Sequence, residues 1–172
     1  MKKVLVLGCS GSGKSTFSVQ LGELTGLPVI HLDALYWKAG WVSATEEEWD
    51  HIIDNLVELD TYIMDGNYAR TLNKRLIDAD TVYFFDYPRL LCIYRALKRR
   101  IIYHGKTRHD MAEGYNEKID FEFLKWIRNF NNRNRKKIIE TLDKVKDSKQ
   151  VHIFTSPKQV KQYLKLYAVE NK

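Results

Sequence analysis

Cysteine is scarce in this chain of 172 residues, and long apolar runs are missing. The two cysteines, Cys9 and Cys92, are too few for the disulfide framework of a small secreted domain, and no Cys/His cluster has zinc-ligand spacing. No stretch approaches the roughly 18 continuous apolar residues of a membrane-spanning helix. The chain also contains no repeats, low-complexity tracts or linker. We therefore expect one soluble domain over residues 1–172, with reduced thiols, in the cytoplasm and without membrane contact.

The first sixteen residues, MKKVLVLGCSGSGKST, allow two interpretations. Two lysines, a short apolar run and the LGC triplet are typical of an exported lipoprotein, whereas the glycines and lysine that follow are typical of a phosphate-binding loop. A secretory signal needs roughly 7–15 apolar residues. Residues 4–7 supply only four before Gly8 and Cys9. Four apolar residues are enough for a buried parallel strand, so we expect a strand here.

Short apolar segments alternate with helical patterns along the chain. Five segments predict strands: KKVLVLG, LPVIHLD, TYIMDG, TVYFFD and KQVHIF. The segments between them show helical spacing, including a basic helix over about 90–103 and a long helix that begins near residue 117. Strands that alternate with helices favour a parallel sheet covered on both faces. We therefore predict an α/β fold.

One segment matches a phosphate-binding motif without a mismatch. GCSGSGKS fits G-x-x-x-x-G-K-[ST], and it lies between a predicted strand and a predicted helix, as the motif requires. Its glycines let successive N–H groups turn inward around an oxyanion, and the helix N-terminus adds partial positive charge. Lys14 would reach the β- and γ-phosphates of ATP, and Ser15 would hold Mg²⁺. The predicted nucleotide-binding residues of the loop are Gly8, Ser10, Gly11, Ser12, Gly13, Lys14, Ser15 and Thr16.

Charge is distributed unevenly between the two halves. Residues 1–86 contain 7 Lys and Arg against 13 Asp and Glu, whereas residues 87–172 contain 21 against 9, so the net charges are −6 and +12. A basic half indicates nucleic acid, a membrane surface or a site for polyphosphates. Arg95 and Arg99 are i and i+4 on one helix face, where like charges repel unless an anion lies between them. Their spacing suggests phosphate, and a solvated basic face is the alternative.

Two segments resemble adenylate kinase and its nucleoside monophosphate kinase relatives. YIMDGNYART looks like that family's strand ending in Asp-Gly, followed by an arginine and a threonine. FFDYPRLLCIYRALKRR looks like its strand ending in Asp-x-Pro, with Asp86 followed by Arg95 and Arg99. Closer still is the resemblance to the DNA topology modulation proteins of the FlaR type, which share the loop, LDALYW, DGNY, DYPR and segment 108–114. The resemblance covers nearly the whole chain and implies a P-loop NTPase fold with a five-stranded parallel sheet and a short lid at about 104–116.

Several site residues follow from the resemblance and from strand ends. Arg95 would lie along the adenine of ATP and Arg99 on its phosphates, by resemblance. Arg108, in the glycine-bounded loop, would close over the γ-phosphate or be an exposed loop arginine. Asp65 ends a predicted strand and is the best carboxylate for Mg²⁺, with a turn aspartate as the alternative. The sequence does not choose which further arginine joins this clamp: Arg128, Arg133 or Arg135.

An acceptor-side segment is predicted at about 34–60, and further acceptor residues are predicted on either side of it. Asp33, at the end of LPVIHLD, would orient or deprotonate a hydroxyl acceptor, whereas a phosphate acceptor needs no base and a turn aspartate is equally compatible. Adenylate kinase has Phe-Pro-Arg-Thr after its Asp-Gly, which differs here, so AMP is not assumed. We assign no role to His31. Residues that would wall an acceptor pocket, or belong to the core, are Tyr36, Trp37, Trp41, Asn67, Tyr68 and Arg70.

Three functions are compatible with these patterns. The favoured one is an ATP-dependent kinase that transfers the γ-phosphoryl group, with Mg²⁺, to a nucleotide, nucleoside or other small metabolite. The second is a DNA-associated P-loop ATPase or regulator of DNA topology, which the family resemblance suggests but which no DNA-reading motif supports. The third is a nucleotide-binding module without turnover. The sequence does not reveal the oligomeric state.

Overall fold

Strands and helices alternate along the folded chain, as the sequence predicts. The structure, a computed structural model, describes residues 1–38, 40, 42–102, 127, 129–130 and 134–170. In chain order the elements are β1 (Lys3–Gly8), α1 (Lys14–Thr25), β2 (Val29–His31), α2 (Leu32–Tyr36), β3 (Trp37–Lys38), β4 (Val42–Ser43), α3 (Glu46–Val57), β5 (Tyr62–Asp65), α4 (Ala69–Asp78), β6 (Thr81–Phe85), α5 (Arg89–Ile102), α6 (Lys136–Val145), β7 (Gln150–Phe154) and α7 (Pro157–Glu170).

Five strands form one parallel sheet in the order β2-β5-β1-β6-β7. The predicted α/β fold with a five-stranded parallel sheet is therefore confirmed. Residues 4–7 of β1, the middle strand, are fully buried, as expected for a strand of a parallel sheet covered on both faces. β3 and β4 form a separate antiparallel pair. Strands of two residues carry no periodic signal, so the sequence does not predict this pair.

Helices pack against the sheet in two neighbouring pairs. α1 contacts β1, β2 and β5 and lies beside α7, whereas α4 contacts β1 and lies beside α3. The ring of Phe17 on α1 meets Tyr83 and Phe85 edge-on, with ring centroids 4.9 and 5.3 Å apart. α3 begins at a capping box, in which Thr45 and Glu48 each accept the other's backbone N–H. The contacts of α1 place the helix that follows the glycine-rich loop against the middle of the sheet.

The second strand of the sheet is shorter than the sequence predicts. The predicted strand ends at Asp33, but β2 ends at His31 and Asp33 lies in the first turn of α2. His31 pairs with Asp65, the last residue of β5, so the neighbouring strand offers no ladder partner beyond that point. The chain therefore turns into a helix that buries Leu32 completely.

Several predictions fall outside the described residues. The lid at about 104–116 with Arg108, and the side chains of Trp41, Arg128 and Arg133, are among them. The long helix predicted from residue 117 is partly described: Ile127 and Phe130 are helical and buried, and α6 continues to Val145. Cys9 and Cys92 are buried thiols that form no disulfide. None of the described helices has the length and apolar character needed to cross a membrane.

Candidate functional site

The glycine-rich loop connects the carboxyl end of β1 to α1. Gly8, Gly11 and Gly13 have φ values of 144°, 79° and 95°, which favour glycine. A Cβ on Gly11 would lie 2.4 Å from the carbonyl oxygen of Cys92, and one on Gly8 would lie 2.7 Å from Cβ of Phe85. No side chain of the described residues caps the N-terminus of α1. Its first-turn N–H groups are thus available for an anion, as the sequence predicts.

A cleft of about 490 Å³ opens over this loop. It is lined by the loop, by two carboxylates, by two arginines and by α7, which contributes Pro157, Val160, Lys161 and Leu164. The structure therefore brings together residues from separate segments of the sequence. Those that line the cleft and were predicted as site residues are Ser10, Gly11, Ser12, Gly13, Lys14, Ser15, Thr16, Asp33, Asp65, Arg95 and Arg99.

Lys14 and Arg95 both bind the backbone of the loop. The ammonium of Lys14 donates to the carbonyl of Cys9 at 3.2 Å. Arg95 on α5 donates to the carbonyl of Ser12 at 3.1 Å, and its guanidinium lies 5.8 Å from the ring centroid of Tyr87. Burial raises the pKa of Tyr87 to about 12, with an opposing effect of Arg95, so the phenol is neutral at pH 7. Two cations therefore face the loop before any phosphate binds.

Asp65 forms a pair with His31 at the carboxyl edge of the sheet. Oδ2 of Asp65 lies 3.1 Å from Nδ1 of His31, and the aspartate side chain is only 6% exposed. Its Oδ1 is buried and has no hydrogen-bond partner within the described part of the chain. The hydroxyl-bearing Ser15 lines the same cleft. Mg²⁺ prefers oxygen ligands and in nucleotide sites usually takes only one or two from the protein. The Ser15 hydroxyl and the unpartnered Asp65 oxygen fit this requirement.

Asp33, which lines the cleft, is held by Tyr68. The Tyr68 phenol donates to Oδ1 of Asp33 at 2.6 Å. Burial, and then the charge and hydrogen bond of Asp33, raise the pKa of Tyr68, so it is the proton donor of the pair. The Tyr68 ring packs against Tyr36 and Trp49, with ring centroids 4.7 and 4.6 Å away. These rings belong to a second small hydrophobic core that also contains Leu32, Ala44 and Ile53.

Arg75 is a buried residue for which the sequence predicts no role in the site. Its fully buried guanidinium donates to the carbonyls of Gly66, Asn67 and Tyr68 at 3.0, 2.5 and 3.0 Å. Burial lowers its pKa to about 10, so the group remains charged at pH 7. The signal in the sequence is its spacing: Arg75 lies three residues after Leu72, on the buried face of α4. Its hydrogen bonds hold Tyr68, a non-glycine residue with a φ of 34°, in the left-handed region.

Two predicted acceptor residues have other partners. The Asn67 side chain accepts from the N–H of Gly8 at 2.9 Å and donates to the carbonyl of Gly8 at 2.7 Å, so it ties β5 to the glycine-rich loop. Arg70 is half exposed and binds Asp50 and Glu46 on α3, at 2.6 and 2.5 Å. Neither these two side chains nor Tyr36 and Tyr68 are among the described residues that line the cleft.

No family model matches the chain, and no curated protein does. Among solved structures, the chain is similar to a sugar kinase from Janibacter sp. HTCC2649, with 18% identity, a TM-score of 0.53 and coverage of 99% of this chain and 95% of the other. It is also similar to a gluconokinase from Sinorhizobium meliloti 1021, with 16% identity, a TM-score of 0.56 and coverage of 99% and 90%. The chain therefore shares its α/β fold with these two structures.

Of the three candidate arginines on the long helix, the structure describes the side chain of one. Arg135 forms a two-point ion pair with Asp86, in which Nε and Nη2 donate to the two carboxylate oxygens at 2.6 and 2.7 Å. The charge of Arg135 is thus matched by the aspartate that follows β6. Among the described residues, Arg95 and Arg99 on α5 are the arginines that line the cleft.

Proposed function

We propose that the protein is an ATP-dependent kinase that transfers the γ-phosphoryl group to a small acceptor through a hydroxyl group of that acceptor. One observation carries the proposal: Asp33 lines the same cleft as Lys14, Ser15 and the rest of the phosphate loop. A carboxylate next to the transferred phosphoryl group acts as a general base toward an alcohol. An acceptor that is already a phosphate would need no such base.

The ATP side is built from the loop and α5. Lys14 and the N–H groups of the loop would bind the β- and γ-phosphates, while Arg99 would neutralise charge on the phosphate chain. The adenine would lie along Arg95, with the apolar side chains Val160 and Leu164 of α7 in the same cleft. Ser15 and Asp65 would hold Mg²⁺, which supplies charge neutralisation during phosphoryl transfer.

The acceptor side favours an uncharged, hydroxylated compound. In the described segment after β5, both arginines already have partners. Arg70 forms ion pairs with carboxylates on α3, and Arg75 donates hydrogen bonds to backbone carbonyls. Among the described residues of this side, the Asp33 carboxylate lines the cleft and accepts a hydrogen bond from the Tyr68 phenol. The two similar structures are, by their names, a sugar kinase and a gluconokinase, which supports hydroxylated compounds of the sugar type. Uncharged sugars and polyols are the first acceptors to test, and anionic sugar acids are the contrasting class.

The finer sequence predictions remain proposals. Membership of the FlaR-type group and a role in DNA topology rest on the sequence resemblance alone. Action in the cytoplasm is supported by two cysteines that are unpaired thiols. We propose Arg108 as a catalytic residue because the sequence predicts it in the lid at about 104–116.

An acceptor screen tests the proposal directly. ADP formation is followed with MgATP and each of a panel of sugars, sugar acids, polyols, nucleosides and nucleotides. We expect one hydroxylated compound to stimulate turnover. Lys14→Ala should abolish that turnover, because the lysine contacts the transferred phosphates. Lys98→Ala, at an exposed position of α5, is the matched control and should retain it.

Three outcomes would contradict the proposal. Turnover stimulated only by DNA at physiological salt would favour the DNA-associated ATPase, and charge-driven DNA binding alone should fall steeply with salt. ATP binding without turnover under any condition would favour a nucleotide-binding module. Loss of a general base typically costs about 10²–10⁴-fold in rate. Stimulated turnover that is unchanged in Asp33→Asn would therefore show that Asp33 is not the general base.

A further inference from the structure

His31 and Asp65 end two neighbouring strands of the main sheet. They are register partners on β2 and β5, so their side chains leave the same face of the sheet. Nδ1 of His31 lies 3.1 Å from Oδ2 of Asp65. The His31 side chain is 16% exposed and that of Asp65 is 6% exposed. Because a carboxylate only accepts hydrogen bonds, this ring nitrogen is the donor.

The pair uses one oxygen of Asp65 and leaves the other without a partner. Oδ1 is buried and receives no hydrogen bond from the described residues, although Asp65 lines the nucleotide cleft with Ser15. An unpartnered buried carboxylate oxygen is costly unless a cation or water binds it. Rotation of the carboxylate would give up the His31 hydrogen bond. The histidine therefore fixes which oxygen is presented to a metal ion.

We propose that His31 is a positioning residue that orients Asp65 for the Mg²⁺ of the nucleotide complex. The inference rests on the nucleotide site of the proposed function, but it does not depend on the acceptor or on turnover. Hydrogen-bond partners of metal ligands typically change metal affinity by roughly 10–100-fold when they are removed. A plain structural link between β2 and β5 would instead change folding stability and leave metal affinity intact.

The test measures binding of Mn²⁺, as a paramagnetic substitute for Mg²⁺, to the ADP complex by electron paramagnetic resonance. Binding of ADP without metal is measured in parallel by calorimetry. His31→Leu should weaken Mn²⁺ binding by about tenfold and leave metal-free ADP binding unchanged. His51→Leu, at an exposed histidine of α3, is the matched control and should alter neither.

Two amide variants keep the test decisive if His31→Leu does not fold. In His31→Asn the side-chain nitrogen takes the place of Nδ1, whereas in His31→Gln it lies one bond farther out. We expect the asparagine variant to keep Mn²⁺ affinity within about twofold and the glutamine variant to lose about tenfold. Equal affinities in the two variants would overturn the inference.

A double variant tests whether His31 affects Mn²⁺ binding only through Asp65. Adding His31→Leu to Asp65→Asn should cause no further loss of Mn²⁺ affinity, since the histidine acts through the aspartate. Additive losses would overturn the inference, and so would weaker metal-free ADP binding in His31→Leu. If no acceptor is ever phosphorylated while His31→Leu still weakens Mn²⁺ binding as expected, the proposed function fails and the role of His31 stands.

Discussion

The Tyr68 phenol and the Asp33 carboxylate are joined by a hydrogen bond of 2.6 Å, which links the start of α4 to the first turn of α2. Tyr68→Phe removes this bond but keeps the ring that packs against Trp49. We expect the acceptor kcat/KM to fall by about tenfold or more, because a misplaced base loses its alignment with the hydroxyl group. Steady-state kinetics with the acceptor found in the screen measure the effect.

The matched control for this change is Tyr94→Phe, at an exposed tyrosine of α5. It should leave kcat/KM unchanged, and metal-free ADP binding should be the same in both variants. An unaltered acceptor kcat/KM in Tyr68→Phe would show that Asp33 does not need the phenol.

Arg75 supports the segment that carries Tyr68, so its loss should destabilise the protein. Arg75→Met leaves the carbonyls of Gly66, Asn67 and Tyr68 without this buried donor. We expect the free energy of unfolding to fall by about 3 kcal/mol. Urea unfolding measures the change. Lys74→Met, one residue away on the exposed side of α4, should alter it by no more than about 0.5 kcal/mol.

Gly11 is expected to tolerate no side chain. A Cβ there would lie 2.4 Å from the Cys92 carbonyl oxygen, and φ is +79°. Gly11→Ala should therefore displace the loop from α5 and weaken ADP binding more than tenfold, as about 2 kcal/mol of distorted contacts would do. Calorimetry of ADP binding provides the measurement.

Gly26 is the matched control, because it shares a positive φ of 72° and has no atom within 4 Å of an added Cβ. Gly26→Ala should lower the free energy of unfolding by about 1 kcal/mol and leave ADP binding unchanged. Normal ADP affinity in Gly11→Ala would contradict the steric requirement at the loop.

Asp80 should make stability depend on acidic pH. Burial raises the pKa of its carboxyl, but hydrogen bonds from the Thr81 hydroxyl and the N–H groups of Lys3 and Lys2 lower it more, so the net pKa is below its ordinary value. The unfolded chain then binds a proton at higher pH than the folded one. This contribution is complete above the ordinary pKa and is lost as pH falls through the lowered one.

Urea unfolding of the wild type and Asp80→Asn tests this sign. The wild type should be more stable than the variant at pH 7, and the difference should shrink at pH 3. Asp143→Asn, at an exposed position of α6, should show no comparable change with pH. A difference that grows as pH falls would contradict the lowered pKa.

Patterns within single strands and helices explain which residues of the cleft the sequence predicts. The sequence predicts Asp65 as a site residue because it ends a predicted strand, and parallel strands bring such ends to one edge of the sheet. Arg95 and Arg99 are predicted from their spacing on one helix, and both line the cleft. In each case the relevant pattern lies within a few turns of one element.

Contacts between distant segments of the chain explain which side-chain partners the sequence does not predict. Asn67 and Arg70 belong to a segment that resembles an acceptor site, yet one binds the backbone of Gly8 and the other binds carboxylates on α3. His31 has no metal-ligand spacing in the sequence, and its partner Asp65 is 34 residues away, so the two side chains meet only through strand pairing. Such contacts depend on register, which a single sequence does not encode locally.

The glycine-rich loop and the alternation of strands and helices can be predicted from the amino-acid sequence, because both depend on neighbours within a few residues. The folded chain alone shows which carboxylate oxygens accept hydrogen bonds from His31 and Tyr68, and which arginines line the cleft. Those assignments arise when elements far apart in the chain pack together, where burial and geometry select one partner among several that the sequence offers equally.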